Sequence, residues 1–413
     1  MIHGLPYYWF FGRQKRGSSI TMTQKHSLSF ENTEVAFRHS SNADLKRAYW
    51  LFKIINVNTL VKIGPPVTNF AIKIGLPIKG LIKKTIFSQF CGGETIRECE
   101  NTIKTLERGG VGTILDYSVE GEEDEKVFDE TCEEIIRTIK RANKDNAIPI
   151  TVFKVTGVGR FGLLEKLDAK KKLTASEQDE WQKVQTRVLA ICEKAHSVGI
   201  PVMVDAEETW IQDTIDWLAL QMMRKFNKEK AIVYNTYQLY RHDKLASIKA
   251  DTEVAKKEGF ILGAKLVRGA YMEKERKRAE ELGYPSPIQP DKAASDRDFD
   301  LALEYCTDNI DHVAFVAGTH NEDSCRLLTE LMEAQNIDHK NPHVYFAQLL
   351  GMSDNLSFNL ADAGYLVAKY VPYGPIKAVL PYLFRRAQEN TAIAGQMSRE
   401  LSLIVKEKKR RGI

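Results

Sequence analysis

Little in the sequence ties the protein to an oxidising compartment, a membrane span or a classical dinucleotide fold. The six cysteines, Cys91, Cys99, Cys132, Cys192, Cys306 and Cys325, form no CxxC pair and no zinc spacing. That excludes a disulfide-stapled module and reads as free thiols in a reducing compartment. No stretch reaches the ~18 uninterrupted apolar residues of a membrane helix. The aromatic stretch Leu5 to Phe11, ahead of Arg13 and Lys15, is too short for a signal-peptide core. No GxGxxG occurs, so dinucleotide binding of the Rossmann type has no support. The excess of one charge that nucleic acid would demand is also missing: 59 Lys and Arg against 55 Asp and Glu leave +4. What remains is 413 residues, 43% hydrophobic and 28% charged, enough for one large α/β barrel of ~250 residues plus an accessory segment.

Charge is unevenly placed along the chain. Between Asp44 and Glu94 there is no acidic residue, while Lys46, Arg47, Lys53, Lys62, Lys73, Lys79, Lys83 and Lys84 punctuate apolar stretches such as Ala48 to Asn56 and Val67 to Ile82. Residues 1–109 therefore read as a mainly helical, basic and apolar arm. Its lysines are either solvated on a helix packed against the main domain or in contact with anionic lipid at a membrane surface.

From Gly110 short apolar runs alternate with longer amphipathic, charged segments, the α/β texture. The runs are Val111–Tyr117, Ile148–Val155, Val202–Asp205, Ala231–Tyr237, Ile261–Val267, Val313–Gly318, Val344–Gln348 and Val367–Val371. Eight units match a (β/α)8 TIM-like barrel over residues 110–400, leaving 401–413 as a basic tail. Active sites of such barrels lie at the C-terminal ends of the strands. The runs end at Asp116, Lys154, Asp205, Asn235, Lys265 with Arg268, Thr319 with His320 and Asn321, Gln348, and Tyr370. Singly each is an ordinary loop residue or cap; eight in register point to a site.

The segment Tyr382 to Asn390 reads as helical after Pro381. The i, i+3, i+4, i+7 spacing puts Tyr382, Arg385, Arg386 and Glu389 on one face. Two forked guanidinium groups beside a phenol suit the carboxylate of a small anionic molecule; the plainer reading is a solvated helix with an Arg385–Glu389 pair. Metal binding has little support. His320 has no histidine or cysteine near it in sequence, and Pro342 interrupts the His339 and His343 pair. The acidic run Val204-Asp-Ala-Glu-Glu208 could hold Mg²⁺, but neighbouring cations argue against it.

Tyr-x-x-Arg-Arg-x-x-Glu-Asn after Lys369-Tyr-Val-Pro-Tyr-Gly374, with Lys265-Leu-Val-Arg-Gly-Ala-Tyr271, Val204-Asp-Ala-Glu-Glu208, Gly318-Thr-His-Asn321 and Ala347-Gln-Leu-Leu-Gly-Met352, resembles the flavin-dependent proline dehydrogenases. The resemblance covers the whole barrel and looks like the single-function enzyme, without the aldehyde dehydrogenase and DNA-binding modules of some relatives. It implies oxidation of L-proline to Δ1-pyrroline-5-carboxylate, hydride passing to FAD and electrons on to a membrane quinone. By that resemblance Arg385, Arg386 and Lys154 hold the substrate carboxylate, Asp205 pairs with one of the arginines, and Glu120 supports Lys154. Tyr271, Leu349, Tyr370 and Tyr382 wall the ring, Tyr370 favouring proline over hydroxyproline. FAD touches Asn235, Lys265, Val267, Gly269, Ala270, Thr319, His320, Asn321 and Glu389, with Asn235 where relatives carry glutamine, Lys265 where bacterial multifunctional relatives often carry arginine, and His320 hydrogen-bonding the flavin. Gly269 lets backbone approach a ring or phosphate, and the loop 284–296 lies near the adenosine end.

The resemblance implies a cytoplasmic protein, peripheral on the inner membrane, or on its matrix side in a mitochondrion; the N-terminus, neither Arg-rich nor clearly amphipathic, does not settle which, and the reading leans to the bacterial case. Two other readings compete: a cofactor-free lyase or aldolase with Lys154 or Lys265 as a Schiff-base lysine, and a non-enzymatic membrane scaffold built on the arm.

Overall fold

Parallel strands buried on both faces need helices on the outside and side-chain layers within, and each of the eight apolar runs meets that demand. The computed structural model describes residues 28–55, 79–119, 123–389 and 398–413. Residues 56–78 of the basic arm, the N-terminal aromatic stretch and Glu120 lie outside the described residues. The strands are β1 Gly112–Tyr117, β2 Thr151–Phe153, β3 Val202–Val204, β4 Val233–Gln238, β5 Leu262–Val267, β6 Val313–Gly318, β7 Val344–Leu349 and β8 Val367–Tyr373. They run parallel in the order β1-β8-β7-β6-β5-β4-β3-β2. Thr113 N–H donates to Ala147 O at 2.8 Å across the remaining seam between β1 and β2, so the sheet nearly closes into the expected (β/α)8 barrel.

Alternation with period two divides the core. Ile114, Val152, Met203, Tyr234, Ala314, Val316, Ala347 and Ala368 fill the barrel interior. Their neighbours Leu115, Phe153, Val204, Val233, Leu266, Phe315, Phe346 and Val371 face the surrounding helices. β2 is shorter than its apolar run because the chain leaves the ladder at Lys154 and turns through a 3₁₀ segment, Val155–Gly157. Helix starts carry the expected chemistry: Thr174 and Glu177 form a reciprocal capping box at the helix Ala175–Val198.

The flanking segments join the barrel more closely than their composition suggests. The helix Ile96–Arg108, inside the stretch read as the arm, buries Cys99, Ile103 and Leu106 in the core between strands and outer helices. The helix Ile376–Glu389 starts before Pro381 instead of after it, because Pro375 O accepts the N–H of Ala378 and Val379 and founds the first turn earlier. The basic tail is a helix, Arg399–Arg411, so the boundary read at 400/401 falls within its first turn. Phe52 and Phe90 of the arm, Tyr382 and Leu383 of the closing helix, and Leu401 and Ile404 of the C-terminal helix share one apolar cluster. The loop expected over 284–296 ends at Asp291, whose carboxylate accepts from Ala294 N–H and caps the helix Lys292–Asp308.

Candidate active site

The strand ends and the closing helix enclose a cavity of about 560 Å³. Lys154, Asp205, Tyr271, Leu349, Tyr370, Tyr382, Arg385 and Arg386 all line it, together with Lys265, Val267, Gly269, Ala270, Thr319, His320, Asn321 and Glu389. Residues almost 240 positions apart meet there because every strand of a parallel barrel ends on the same rim.

Asn235 does not reach the cavity. Its neighbours Tyr234 and Thr236 face inward, and one step of alternation turns Asn235 outward, where its Nδ2 donates to Asp216 Oδ1 at 2.9 Å. Gln238, three residues on and one past the end of the apolar run, occupies the rim and donates from Nε2 to Glu207 O at 2.8 Å. Following the inward phase Tyr234, Thr236, Gln238 through the sequence could have found it. Asp116, Arg268 and Gln348, marked at strand ends but given no role, also line the cavity.

The floor is an ionic cluster. Lys154 Nζ donates to Asp205 Oδ2 at 2.8 Å, and Lys265 Nζ donates to Asp205 Oδ1 and, at 2.8 Å, to Tyr370 OH. The expected arginine partner of Asp205 is thus replaced by two lysines, which project from β5 and from the end of β2 on either side of β3. Burial alone would raise the Asp205 carboxyl, but the two ammonium groups outweigh it and hold it at about 2. Burial lowers Lys265, against the opposing pull of Asp205. Burial, reinforced by the Asp205 charge, holds the Tyr370 phenol well above its ordinary range.

The roof is the closing helix. Arg386 Nη2 donates to Glu389 Oε1 at 2.6 Å and its guanidinium lies 5.1 Å from the Tyr382 ring centre, so the helix pair is i,i+3 from Arg386. Tyr382 OH and Arg385 Nε are buried without a hydrogen-bond partner among the described residues. Buried donors of this kind call for an acceptor beyond the described residues.

On the far wall both ring nitrogens of His320 are engaged by protein: Nδ1 with Ser353 Oγ at 2.9 Å, and Nε2 as acceptor from Leu349 N–H at 3.4 Å. With both nitrogens so engaged, the ring stands in the cavity wall. Burial, with Lys369 and Arg386 nearby, lowers it to about 3 and keeps it neutral. Asn321 caps the helix Glu322–Ala334, its Oδ1 accepting from Asp323 and Ser324 N–H. Gly269 has φ +140, and a Cβ there would lie 2.5 Å from the Tyr240 ring, so the glycine answers backbone conformation and Tyr240 packing first. The acidic run after β3 is committed elsewhere: Glu207 to Thr156, Glu208 to Lys274. Among the described residues no group of three or more His, Cys, Asp and Glu is placed to hold a metal.

The proline dehydrogenase family profile matches residues 99–399. The chain belongs to the proline dehydrogenase family. It is accordingly an oxidoreductase acting on proline, and the lyase and scaffold readings give way. Proline dehydrogenase 1, mitochondrial, of Dictyostelium discoideum is 34% identical, over 92% of this chain and 74% of the relative. The carbapenem antibiotics biosynthesis protein CarD of Pectobacterium carotovorum subsp. carotovorum is 33% identical, over 81% of this chain and 86% of its own. The human proline dehydrogenase 1, mitochondrial, is 43% identical over 65% of this chain, which spans 45% of that relative. Among solved structures, proline utilization A of Bdellovibrio bacteriovorus, inactivated by N-propargylglycine, superposes with a TM-score of 0.69 at 20% identity. The alignment covers 90% of this chain and 40% of that one, and bears on the fold alone.

Proposed function

We propose that the protein oxidises L-proline to Δ1-pyrroline-5-carboxylate with FAD, electrons passing on to a membrane quinone. The observation that carries this reading is the convergence of Arg385, Arg386 and Lys154 with the phenols of Tyr370 and Tyr382 around one cavity. The residues fit a planar flavin: Gln238, Lys265 and Gln348 each keep one N–H along the strand ends beyond those given to protein acceptors, and the buried Arg385 Nε and Tyr382 OH lack partners among the described residues. FAD, when bound, supplies the two-electron acceptor for a hydride.

The protein's own groups do the rest. Arg385 and Arg386 clamp the carboxylate from above and Lys154 from below, fixing the orientation of the proline ring. Tyr271, Leu349, Tyr370 and Tyr382 exclude water from the ring carbon that gives up hydride. The amine must shed a proton as the C=N bond forms, and the Lys154–Asp205–Lys265 cluster keeps positive charge in place without offering a covalent nucleophile. Tyr370 OH, held by Lys265, occupies space that a ring hydroxyl would need, favouring proline over hydroxyproline.

Purified protein loaded with FAD should be yellow and should bleach anaerobically with proline. A preparation that takes up no added flavin would sink the proposal. For the arm we propose contact with an anionic inner-membrane surface, on the matrix side where the cell is eukaryotic, through Lys46, Lys53, Lys79 and Lys84. Because the arm shares its apolar core with the closing helix, reversing these four charges and measuring vesicle flotation is the cleaner test than deleting the arm. Flotation unchanged by the reversal would refute the contact.

A further inference from the structure

The turn between β7 and the helix Asp354–Asp362 carries Leu349 at one end and Ser353 at the other, and it is pinned from several sides. From the helix-facing side of β8 the fully buried Lys369 donates to Met352 O at 2.6 Å and Leu349 O at 3.3 Å and pairs with Asp354 at 2.8 Å. From the arm, Gln89 Nε2 donates to Gly351 O at 3.1 Å. From the C-terminal helix, Glu400 Oε1 accepts the Ser353 N–H at 2.6 Å and lies 3.4 Å from Ser353 Oγ.

Ser353 is the N-cap residue of its helix, yet it makes no capping bond and stands at φ 50, ψ 44. A serine ordinarily caps from an extended backbone, and the left-handed region is costly for a residue with a Cβ. The conformation instead turns Ser353 N–H to Glu400 and Ser353 Oγ to His320 Nδ1, 2.9 Å away. His320 in turn accepts from Leu349 N–H, closing a ring of contacts whose inner members, His320 and Leu349, line the cavity. Since Nε2 is the acceptor, Nδ1 carries the proton and donates to Ser353, whose hydroxyl faces Glu400.

We propose that Glu400 is a positioning residue for the active site: acting through Ser353, it holds His320 in one tautomer and sets Leu349 against the substrate ring. This rests on the proposed proline oxidation and adds to it a role for the C-terminal helix, which touches no part of the cavity itself. Burial pushes the Glu400 carboxyl up to about 7, the Ser353 N–H opposing, Asp354 adding to the rise and Lys369 opposing again. His39, Asp44 and Arg47 line a neighbouring cavity of about 390 Å³ that Glu400 also borders. Near neutral pH much of Glu400 is therefore the neutral acid, which glutamine imitates in charge and in its Oε1 acceptor.

The test compares Glu400→Ala, Glu400→Gln and Ser353→Ala in the FAD-loaded enzyme, with proline and an artificial dye acceptor, alongside ¹⁵N NMR of the histidine ring nitrogens. Glu400→Ala should raise the proline KM about tenfold, in line with a displaced substrate wall, with kcat changed far less. Its His320 signals should move from a single Nδ1–H tautomer to a mixture. Glu400→Gln should restore both readings, and Ser353→Ala should reproduce the Glu400→Ala tautomer mixture even if Glu400→Ala fails to fold. The proposal is overturned if folded Glu400→Ala keeps both the wild-type KM and the single tautomer, or if Ser353→Ala keeps the tautomer unmixed. The NMR reading needs no turnover, so it separates this proposal from the failure of proline oxidation itself.

Discussion

Replacing Asp205 by Asn removes the one carboxylate between two buried ammonium groups. Lys154, Asp205 and Lys265 side chains are 14%, 10% and 7% exposed, so solvent gives little compensation. Asparagine offers one lysine its carbonyl but turns an amide NH₂ towards the other. Removing one member of a buried ion pair typically costs roughly 3–5 kcal/mol, because the remaining charge is left without its partner. The depressed carboxyl gives a second figure for the same two contacts. Asp205 falls from its ordinary value of 3.8 to about 2, a gap equivalent to about 2 kcal/mol. A depressed carboxylate contributes that stability above pH 3.8 and loses it as the pH falls through about 2. Urea unfolding of wild type and Asp205→Asn across pH 6 to 2 should therefore show a difference of several kcal/mol at pH 6 that narrows by about 2 kcal/mol towards pH 2. Equal urea midpoints at pH 6 would refute the idea that Asp205 is the keystone of the floor, and a gap that stays constant on acidification would refute its low pKa.

Arg386→Lys keeps the charge but loses the fork, and the proline KM should rise about a hundredfold while flavin absorbance is kept; an unchanged KM would show that the carboxylate binds elsewhere. Tyr370→Ser should open the ring wall and raise the hydroxyproline-to-proline ratio of kcat/KM by at least about tenfold in steady-state assays, and no change in that ratio would count against the steric argument. Because the substrate amine must lose a proton, kcat/KM for proline should climb from neutral to mildly alkaline pH, and a flat profile would contradict it. Gly269→Ala must strain a φ of +140 and meet the Tyr240 ring, so flavin uptake by the purified protein should fall markedly; full flavin loading would show that Tyr240 moves freely.

Local pattern carried far in this chain. Short apolar runs between amphipathic helices mark strands whatever their partners, and a parallel barrel brings all strand ends to one rim. Lys154, Asp205, Lys265, Thr319 and Tyr370 could therefore be placed at the mouth before any contact was known. Helical periodicity likewise put Tyr382, Arg385, Arg386 and Glu389 on one face. Local pattern failed where a single step decides the outcome. Asn235 lies within β4 and Gln238 ends it, and only the strand's rotation within the sheet, set by pairing with β3 and β5, turns one to the helices and the other to the cavity.

Charge types alone also left partners open. Any cation at the mouth could have answered Asp205. Strand stagger brought Lys154 and Lys265 within reach and gave Arg386 to Glu389 instead. Residues 401–413 read only as a basic tail because composition says nothing of contacts. The first turn of the helix they belong to nevertheless reaches Ser353 through Glu400, a contact 47 residues apart in sequence that exists only once the arm, closing helix and C-terminal helix have condensed on a shared apolar cluster. The sequence by itself determined where the strands run and which helix face carries the paired arginines, because apolar runs and helical period are properties of neighbouring residues. The tertiary structure decided which tips touch, because that depends on the twist and stagger of eight strands closing together.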